Sequence, residues 1–301
     1  MKADVSLPAA AAPRGWRLWA TAARPRTLPL AATPVLAGSA LAWAEGAAPT
    51  WGPLAATFGA ALLIQIGTNL HNDAADFEGG NDGADRLGPL RVTAAGWATP
   101  GQVRGAAYGA FAAALLLGVY LVIHGGWPIF AVGCASLLAG AAYSGGPRPI
   151  SHTPFGEAFV WIFFGLVAVA GSYWLQAGGL SAAALIAGGA LGFPAAAVLL
   201  VNNLRDVAAD SAVGRRTLAA VLGDAGARRL HAVLMYLPFA VLPWLAAGQG
   251  GVWLALLALP AAAAVVLRMR AARGAALNRV LADTARAQFV FGLLLAVGCL
   301  L

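Results

Sequence analysis

The sequence predicts an all-α, polytopic membrane protein, built as a bundle of nine transmembrane helices. Of its 301 residues, 60% are hydrophobic and 10% are charged, and the mean hydropathy is +0.75. A soluble domain is about half apolar and about a quarter charged, so this composition excludes one. The 38 glycines fit helices that pack closely in lipid, because small residues let two backbones approach.

Apolar windows of the length that crosses a bilayer, about 17–25 residues, recur along the chain. We place spans near 27–44, 51–71, 104–123, 127–145, 155–175, 181–201, 230–247, 251–267 and 284–301. Thr99, Pro100 and Gln102 form a capping-box pattern with a first-turn proline, which supports the start of the third span. We expect residues 1–26 to form a cytoplasmic N-terminal tail and residues 27–301 to form a single transmembrane domain.

The basic residues set the orientation of these spans. Lysine and arginine collect in cytoplasmic loops and tails, and all 19 fall in the N-terminal tail or in alternate loops and their edges. The intervening loops near 45–50, 124–126, 176–180 and 248–250 contain none. The protein is therefore predicted in the cell inner (cytoplasmic) membrane with a cytoplasmic N-terminus. The net charge of +7 follows from this topology and indicates the lipid bilayer as partner, not nucleic acid.

Acidic residues cluster where the second span reaches the cytoplasm. The segment 69–91 contains five of the twelve Asp and Glu residues of the chain. If the helix continues through it, Asn69, Asp73 and Asp76 lie on one face, because positions i, i+4 and i+7 are neighbours at 100° per residue. Taken alone, this first stripe is equally well explained as a solvated helix end.

A second stripe lies at the cytoplasmic end of the sixth span, where Asn202, Asp206 and Asp210 are spaced by four residues. Two matching stripes favour a shared site over two unrelated helix ends. Carboxylate and amide oxygens are hard ligands, and a few carboxylates facing a phosphate-bearing substrate are the usual arrangement for Mg²⁺. The arginines nearby, which topology alone also explains, suit a metal-bridged polyphosphate.

The two Asp-rich motifs resemble those of the UbiA superfamily of intramembrane prenyltransferases, in which NDxxD with further acids is followed by DxxxD. Here they read "NLHNDAADFEGGNDGAD" and "NNLRDVAAD". The likeness extends over nearly the whole chain, through "ARPRTLPL", "YSGGPRPISHTPFGEAF" and "TARAQFVFGLLLAVG". It is greatest to the members that act on 1,4-dihydroxy-2-naphthoate in menaquinone synthesis. Arg215 departs from the pattern GKxTL, since the planar guanidinium group of arginine replaces the compact ammonium group of lysine.

The resemblance implies a nine-helix prenyltransferase fold and a Mg²⁺-dependent reaction. A polyprenyl chain would pass from polyprenyl diphosphate to 1,4-dihydroxy-2-naphthoate with loss of CO₂ and diphosphate, giving demethylmenaquinone. The implied catalytic and metal-binding residues are Asp73, Asp76, Asp206 and Asp210, with Asn69 as a further metal ligand. Asn69, Asn72 and Asn202 are the implied neutral oxygen donors near the diphosphate, and Arg86, Arg91 and Arg215 its cationic partners.

An aromatic carboxylate acceptor needs its own anchoring, and the remaining polar candidates surround the loop between the fourth and fifth spans. They are Tyr143, Ser144, Arg148, His152 and Glu157. We expect Tyr143 and Arg148 to bind the acceptor. The alternatives are an interfacial aromatic residue for the tyrosine and a topology-setting charge for the arginine.

Two other functions remain open from the sequence. The acceptor could be 4-hydroxybenzoate, homogentisate, a chlorin or haem, since the preference for the naphthoate rests on resemblance. The chain could also be a transporter in which intramembrane acids couple to ions. The acids cluster at one membrane surface and not near the midplane, which favours the enzyme.

Overall fold

The computed structural model describes residues 13–80 and 86–301, and every regular element in these ranges is helical. The helices are α1 (Trp16–Ala23), α2 (Leu28–Ala44), α3 (Trp51–Glu78), α4 (Pro100–Ser144), α5 (Gly156–Trp161), α6 (Ala168–Ala177), α7 (Ala182–Ala212), α8 (Leu218–Ala240), α9 (Leu242–Ala246), α10 (Leu259–Ala271) and α11 (Leu277–Cys299). Short 3₁₀ segments lie at Pro25–Thr27, Ile150–His152, Gly250–Ala258 and Gly274–Ala276, and a π-helical segment at Ile162–Val167. The predicted all-α class is confirmed.

Eight helical segments in the described ranges are long and apolar enough to cross a membrane, where the sequence predicts nine. The difference lies in α4, a segment of 45 residues that contains both the third and the fourth predicted spans. A straight helix of that length would measure about 67 Å, over twice the hydrocarbon thickness of about 30 Å. Gly126 interrupts it with a φ of 68°. A Cβ atom on Gly140 would lie 3.4 Å from the Phe111 ring, so the two arms of α4 fold back beside each other.

A helix begins inside the segment predicted as an N-terminal tail. Helix α1 covers residues 16–23, and Arg24 joins it to the turn that precedes α2. Trp16 and Trp19 are exposed on α1, as is typical of aromatic residues at a membrane–water interface. The part of the predicted tail before residue 13, which includes Lys2, lies outside the described residues.

Helices α3 and α7 both run past the ends of their predicted spans, to Glu78 and Ala212. Both acidic stripes are therefore helical, as the spacing argument requires. The capping box of α4 is also confirmed: the Gln102 amide donates to Thr99 Oγ1 at 3.2 Å, and the Thr99 amide donates to Gln102 Oε1 at 2.9 Å.

Helix α7 crosses the 156–177 helical segment with almost no side-chain volume between the backbones. A Cβ atom on Gly165 would lie 2.7 Å from Cα of Gly192, and one on Gly192 would lie 2.6 Å from the carbonyl oxygen of Trp161. On the next turn, one on Gly188 would lie 2.9 Å from Cα of Leu166. This glycine crossing sets the position of α7, and hence of the second acidic stripe, because backbone contact leaves no side chain to adjust.

Candidate active site

A cavity of about 1520 Å³ lies between the helices, polar at one end and apolar along the remainder. One face of α3 lines it from Asp76 to Thr57, a rise of about 28 Å at 1.5 Å per residue. Residues such as Ile64, Ala114 and Leu175 form the apolar part. Of the residues singled out from the sequence, the cavity wall contains Asn69, Asn72, Asp73, Asp76, Arg86, Arg91, Tyr143, Asn202, Asp206, Asp210 and Arg215.

Arg215 connects the two acidic stripes. Its Nη2 donates to Asp76 Oδ1 on α3, and its Nη1 donates to Asp210 Oδ1 on α7 at 3.3 Å. Arg91 Nη1 donates to the other oxygen of Asp76 and to the backbone carbonyl of Asn72, the latter at 3.1 Å. The side chains of Asp76, Asp210 and Arg215 are 5%, 10% and 10% exposed. Two carboxylates from facing helices thus converge on one buried positive charge.

Arg205 organises the remaining part of the second stripe. Its guanidinium donates to both oxygens of Asp206, to Asn202 Oδ1 at 2.9 Å and to Asn278 Oδ1 at 2.8 Å. Asn278 in turn donates to the carbonyl oxygen of Leu87 at 2.7 Å. This network ties α7 to α11 and to the loop that precedes Arg91. The sequence gives no signal for Asn278, a lone asparagine at the start of a helix.

The inner residues of the first stripe contact the protein's own backbone. Asp73, which is 1% exposed, accepts from the backbone amides of Val92 and Thr93, both at 3.2 Å, and from the Thr93 hydroxyl. Both of its carboxylate oxygens are therefore engaged, and they hold the segment that positions Arg91. Asn69 donates to the carbonyl oxygen of Ala23 at 3.0 Å, so it fixes the chain that enters α2.

The first acidic motif continues in the sequence after the end of α3. Asp82 and Asp85 of the first motif lie outside the described residues. The neighbouring Arg86 is described: its Nε donates to the carbonyl oxygen of Pro89 at 3.2 Å.

The loop predicted to anchor the acceptor divides into residues near the cavity and residues away from it. Tyr143 lines the cavity, whereas Arg148 is exposed and lies outside the cavity wall. Helix α4 ends at Ser144, and the turn that follows carries Arg148 to the surface. A role of Arg148 in binding the acceptor stays a prediction. Behind the cavity wall, Glu157 is 4% exposed and accepts from Asn203 Nδ2 at 2.9 Å.

His152 lies in the 3₁₀ segment of the same loop. Its carbonyl oxygen accepts from the Arg216 amide at 3.0 Å, which joins the loop to the segment that follows α7. Burial, together with the positive charge of Arg215, lowers the pKa of the His152 imidazole below its ordinary value of 6.5. Both effects disfavour the protonated, charged form of the ring.

A family model described as the UbiA prenyltransferase family matches residues 31–297. The chain belongs to this family. It is 36% identical over 287 residues to a 1,4-dihydroxy-2-naphthoate octaprenyltransferase of Mycobacterium tuberculosis, covering 92% of this chain and 95% of the relative. An Escherichia coli protein of the same name is 37% identical over 233 residues, covering 72% of each chain. The protein is thus a prenyltransferase of the UbiA family.

The fold is also shared with a solved UbiA homologue from Archaeoglobus fulgidus, bound to DMAPP and Mg²⁺. The two structures superpose with a TM-score of 0.61 at 13% sequence identity, covering 91% of this chain and 98% of the other. At this level of sequence identity the likeness concerns the fold alone: both chains form the same kind of helical bundle.

The polar end of the cavity suits a divalent cation whose ligands come partly from protein carboxylates and partly from a substrate. Within residues 13–80 and 86–301, no group of three or more His, Cys, Asp and Glu side chains forms a metal centre. Mg²⁺ in proteins commonly takes one or two carboxylates and completes its shell with substrate phosphate oxygens and water. Asp76 and Asp210 meet this description, since they already share the positive charge of Arg215. Asp73 fits less well, because its two oxygens accept from the backbone amides of Val92 and Thr93, which cannot turn away as an arginine side chain can.

Proposed function

We propose that this enzyme transfers a polyprenyl chain from polyprenyl diphosphate to 1,4-dihydroxy-2-naphthoate, with Mg²⁺ as cofactor. The observation that carries the proposal is the junction of Asp76, Arg215 and Asp210 at the polar end of a long apolar cavity. A charged diphosphate suits the polar end, and an isoprenoid chain suits the apolar part. The acceptor follows from relatives that are 36% and 37% identical and are named for it.

The residues at the polar end bind and neutralise the diphosphate. Arg91 and Arg215 present guanidinium groups whose planar forks match phosphate oxygens, and Arg86 lies in the same wall. Asp76, Asp210 and Asp206, with the amide oxygens of Asn72 and Asn202, would hold the cation, and Asp73 and Asn69 support them from the inner side. When bound, Mg²⁺ supplies charge stabilisation to the leaving diphosphate.

Three bond changes complete the proposed reaction. The allylic carbon–oxygen bond breaks, and its electron pair leaves with the diphosphate. The electron-rich ring of the acceptor forms a bond to the allylic carbon at the position that bears the carboxylate. The carboxylate then leaves as CO₂ and returns its bonding electrons to the ring, so that demethylmenaquinone is produced in its reduced form. The apolar walls exclude water from the allylic cation during these steps.

Tyr143 is our candidate for orienting the acceptor. It lines the cavity, and its hydroxyl lies 4.0 Å from a Cβ atom built on Gly156 at the start of α5. The hydroxyl would donate a hydrogen bond to an oxygen of the acceptor. This contact would place the ring beside the allylic carbon without adding charge.

In this proposal, the polar end of the cavity opens to the cytoplasmic face of the cell inner membrane, with the N-terminus on the same side. Thiol labelling in intact cells tests this orientation in a background in which Cys134 and Cys299 are replaced. A cysteine at Arg216 should react only from the cytoplasmic side, and one at Gly248 only from the opposite side. Labelling of both from one side would overturn the assignment.

The function is tested directly with purified protein in lipid, Mg²⁺, radiolabelled polyprenyl diphosphate and a panel of acceptors. We expect a prenylated product with 1,4-dihydroxy-2-naphthoate and its loss when EDTA removes Mg²⁺. A variant that carries Asp76→Asn serves as the inactive control. Product formation only with 4-hydroxybenzoate, homogentisate, a chlorin or haem would replace the naphthoate by that acceptor.

A further inference from the structure

Arg24 has a backbone conformation that is unusual for its residue type. With φ 52° and ψ 68°, it is left-handed, and it is the single residue other than glycine with a positive φ in the part of the chain that the structure describes. Glycine normally ends a helix in this conformation, because a β-carbon is strained there. Helix α1 therefore ends on an arginine where glycine would fit the backbone better.

The surrounding structure holds this turn firmly. The backbone amide and the hydroxyl of Thr27 donate to the Arg24 carbonyl oxygen at 2.9 and 3.0 Å. Asn69 donates both to the carbonyl oxygen of Ala23 and to Thr27 Oγ1, each at 3.0 Å. A strained residue persists only where its surroundings fix it, and such residues cluster at functional sites. The strain at Arg24 thus points to a role for its side chain.

The Arg24 side chain lines the polar end of the cavity, and its Nη2 atom is buried without a hydrogen-bond partner. By contrast, Arg215 donates to Asp76 and Asp210, and Arg205 donates to Asp206. A buried guanidinium with an unused donor is unfavourable unless an anion completes it. Arg24 is thus a ready donor for an anion that enters the cavity.

We infer that Arg24 binds an oxygen of the substrate diphosphate, an inference that rests on the proposed prenyl transfer. The charged groups that act on Arg24 include Asp73, Arg86 and Arg91, which belong to α3 and the loop after it. Arg24, Arg86 and Arg91 all line the cavity in which the diphosphate is proposed to bind.

Binding of inorganic pyrophosphate in the presence of Mg²⁺, measured by calorimetry on the full-length protein in detergent, tests the inference. We expect Arg24→Gln to raise the Kd for pyrophosphate about tenfold or more, as loss of a charged hydrogen bond does. Arg17→Gln is the matched control: it removes the same charge from exposed α1 and should leave the Kd unchanged. Arg24→Gly should weaken binding to a similar extent while keeping or raising the unfolding temperature, because glycine relieves the left-handed turn.

Equal affinity for pyrophosphate in Arg24→Gln and Arg17→Gln would overturn the inference. So would an increase in the KM of the aromatic acceptor alone, which would assign Arg24 to the acceptor carboxylate. A lower unfolding temperature for Arg24→Gly would remove the argument from backbone strain. Arg24-dependent binding of pyrophosphate by a protein that does not prenylate the naphthoate would keep this inference and reject the proposed acceptor.

Discussion

The two acidic stripes share nearly the same spacing, yet Asp73 of the first stripe contacts a different kind of partner from the carboxylates of the second. On α3, Asp73 accepts from the backbone amides of residues 92 and 93. On α7, the carboxylates of Asp206 and Asp210 accept from the side chains of Arg205 and Arg215. Asp210 is also more exposed, at 7% of the residue, than Asp73 at 1%.

These contacts correspond to two roles. A carboxylate bound by backbone amides holds the site together, and a carboxylate bound by arginine side chains receives the substrate. A backbone amide cannot leave Asp73 without unfolding the loop that positions Arg91. A guanidinium on a flexible side chain can move from a carboxylate to a phosphate oxygen, and a cation can then take its place. We therefore expect Asp73 to belong to the fixed part of the site. Asp76, Asp206 and Asp210 pair with arginine side chains, and we expect them to form the adaptable part.

The largest expected effect is on turnover, when either carboxylate bound to Arg215 is neutralised. Asp76→Asn and Asp210→Asn should each lower kcat about 100-fold or more, since each removes charge that stabilises the leaving diphosphate. Steady-state kinetics over a range of Mg²⁺ concentrations checks this. Glu78→Gln is the matched control on α3, because that side chain is 46% exposed and pairs with Arg104. Near-normal turnover in both aspartate variants would disprove the two-stripe site.

The next largest effect is on stability, and it should distinguish Asp73 from Asp210. Asp73→Asn should lower the free energy of unfolding by about 1–3 kcal/mol, because the new amide group cannot accept both backbone hydrogen bonds. Asp210→Asn should change it by no more than about 0.5 kcal/mol, because Arg215 keeps its contact with Asp76. Unfolding in detergent, followed by tryptophan fluorescence, measures both variants. Equal losses would show that Asp73 and Asp210 do not differ in this way.

A smaller effect is expected when the side chain at position 215 keeps its positive charge but loses the planar guanidinium group. Arg215→Lys should raise the KM for polyprenyl diphosphate about tenfold, because one ammonium group cannot donate to Asp76 and Asp210 as a guanidinium does. Arg215→Gln should have a larger effect on the same KM. The adjacent and exposed Arg216 provides the control as Arg216→Gln. A parallel rise in the KM of the acceptor would point to a general disturbance of the fold.

The smallest effect concerns the acceptor side. Tyr143→Phe should raise the acceptor KM about fivefold, the size of one neutral hydrogen bond, with little change for the diphosphate. Arg148→Ala should leave both KM values within about twofold of the wild type, because it is exposed and outside the cavity wall. Kinetics with the naphthoate as varied substrate compares the two. A selective acceptor defect in Arg148→Ala would restore the contact expected from the sequence.

The fold follows from the sequence wherever a local signal determines the structure. Hydropathy places the bundle, and the spacing of Asn69, Asp73 and Asp76 predicts their shared helical face. The loop predicted near 124–126 includes Gly126, the non-helical residue at which the two arms of α4 meet, although both arms belong to one of the eight segments. Local signals miss the start of α8 at Leu218, since Asp224, Arg228 and Arg229 interrupt its apolar run.

The contacts of the site are harder to predict, because their partners are distant in the chain. Asp73 is recognisable as part of a motif, but its hydrogen bonds from the amides of residues 92 and 93 depend on the path of the loop that follows α3. Arg24 looks like one of several topology-setting arginines in the sequence. In the structure, its left-handed turn and its side chain in the cavity wall separate it from Arg17. Asn278 meets Arg205 across 73 residues, a pairing that no periodicity encodes.

The glycine crossing between α7 and the 156–177 segment has a consequence for genetics. Gly165, Gly188 and Gly192 lie well inside the bundle, and none of them lines the cavity. A methyl group at any of them would push α7 outward and shift Asp206 and Asp210 relative to α3. A screen for inactive alleles would therefore recover Gly→Ala changes here together with changes at the aspartates. Sequence variation that looks conservative would be among the least tolerated in the protein.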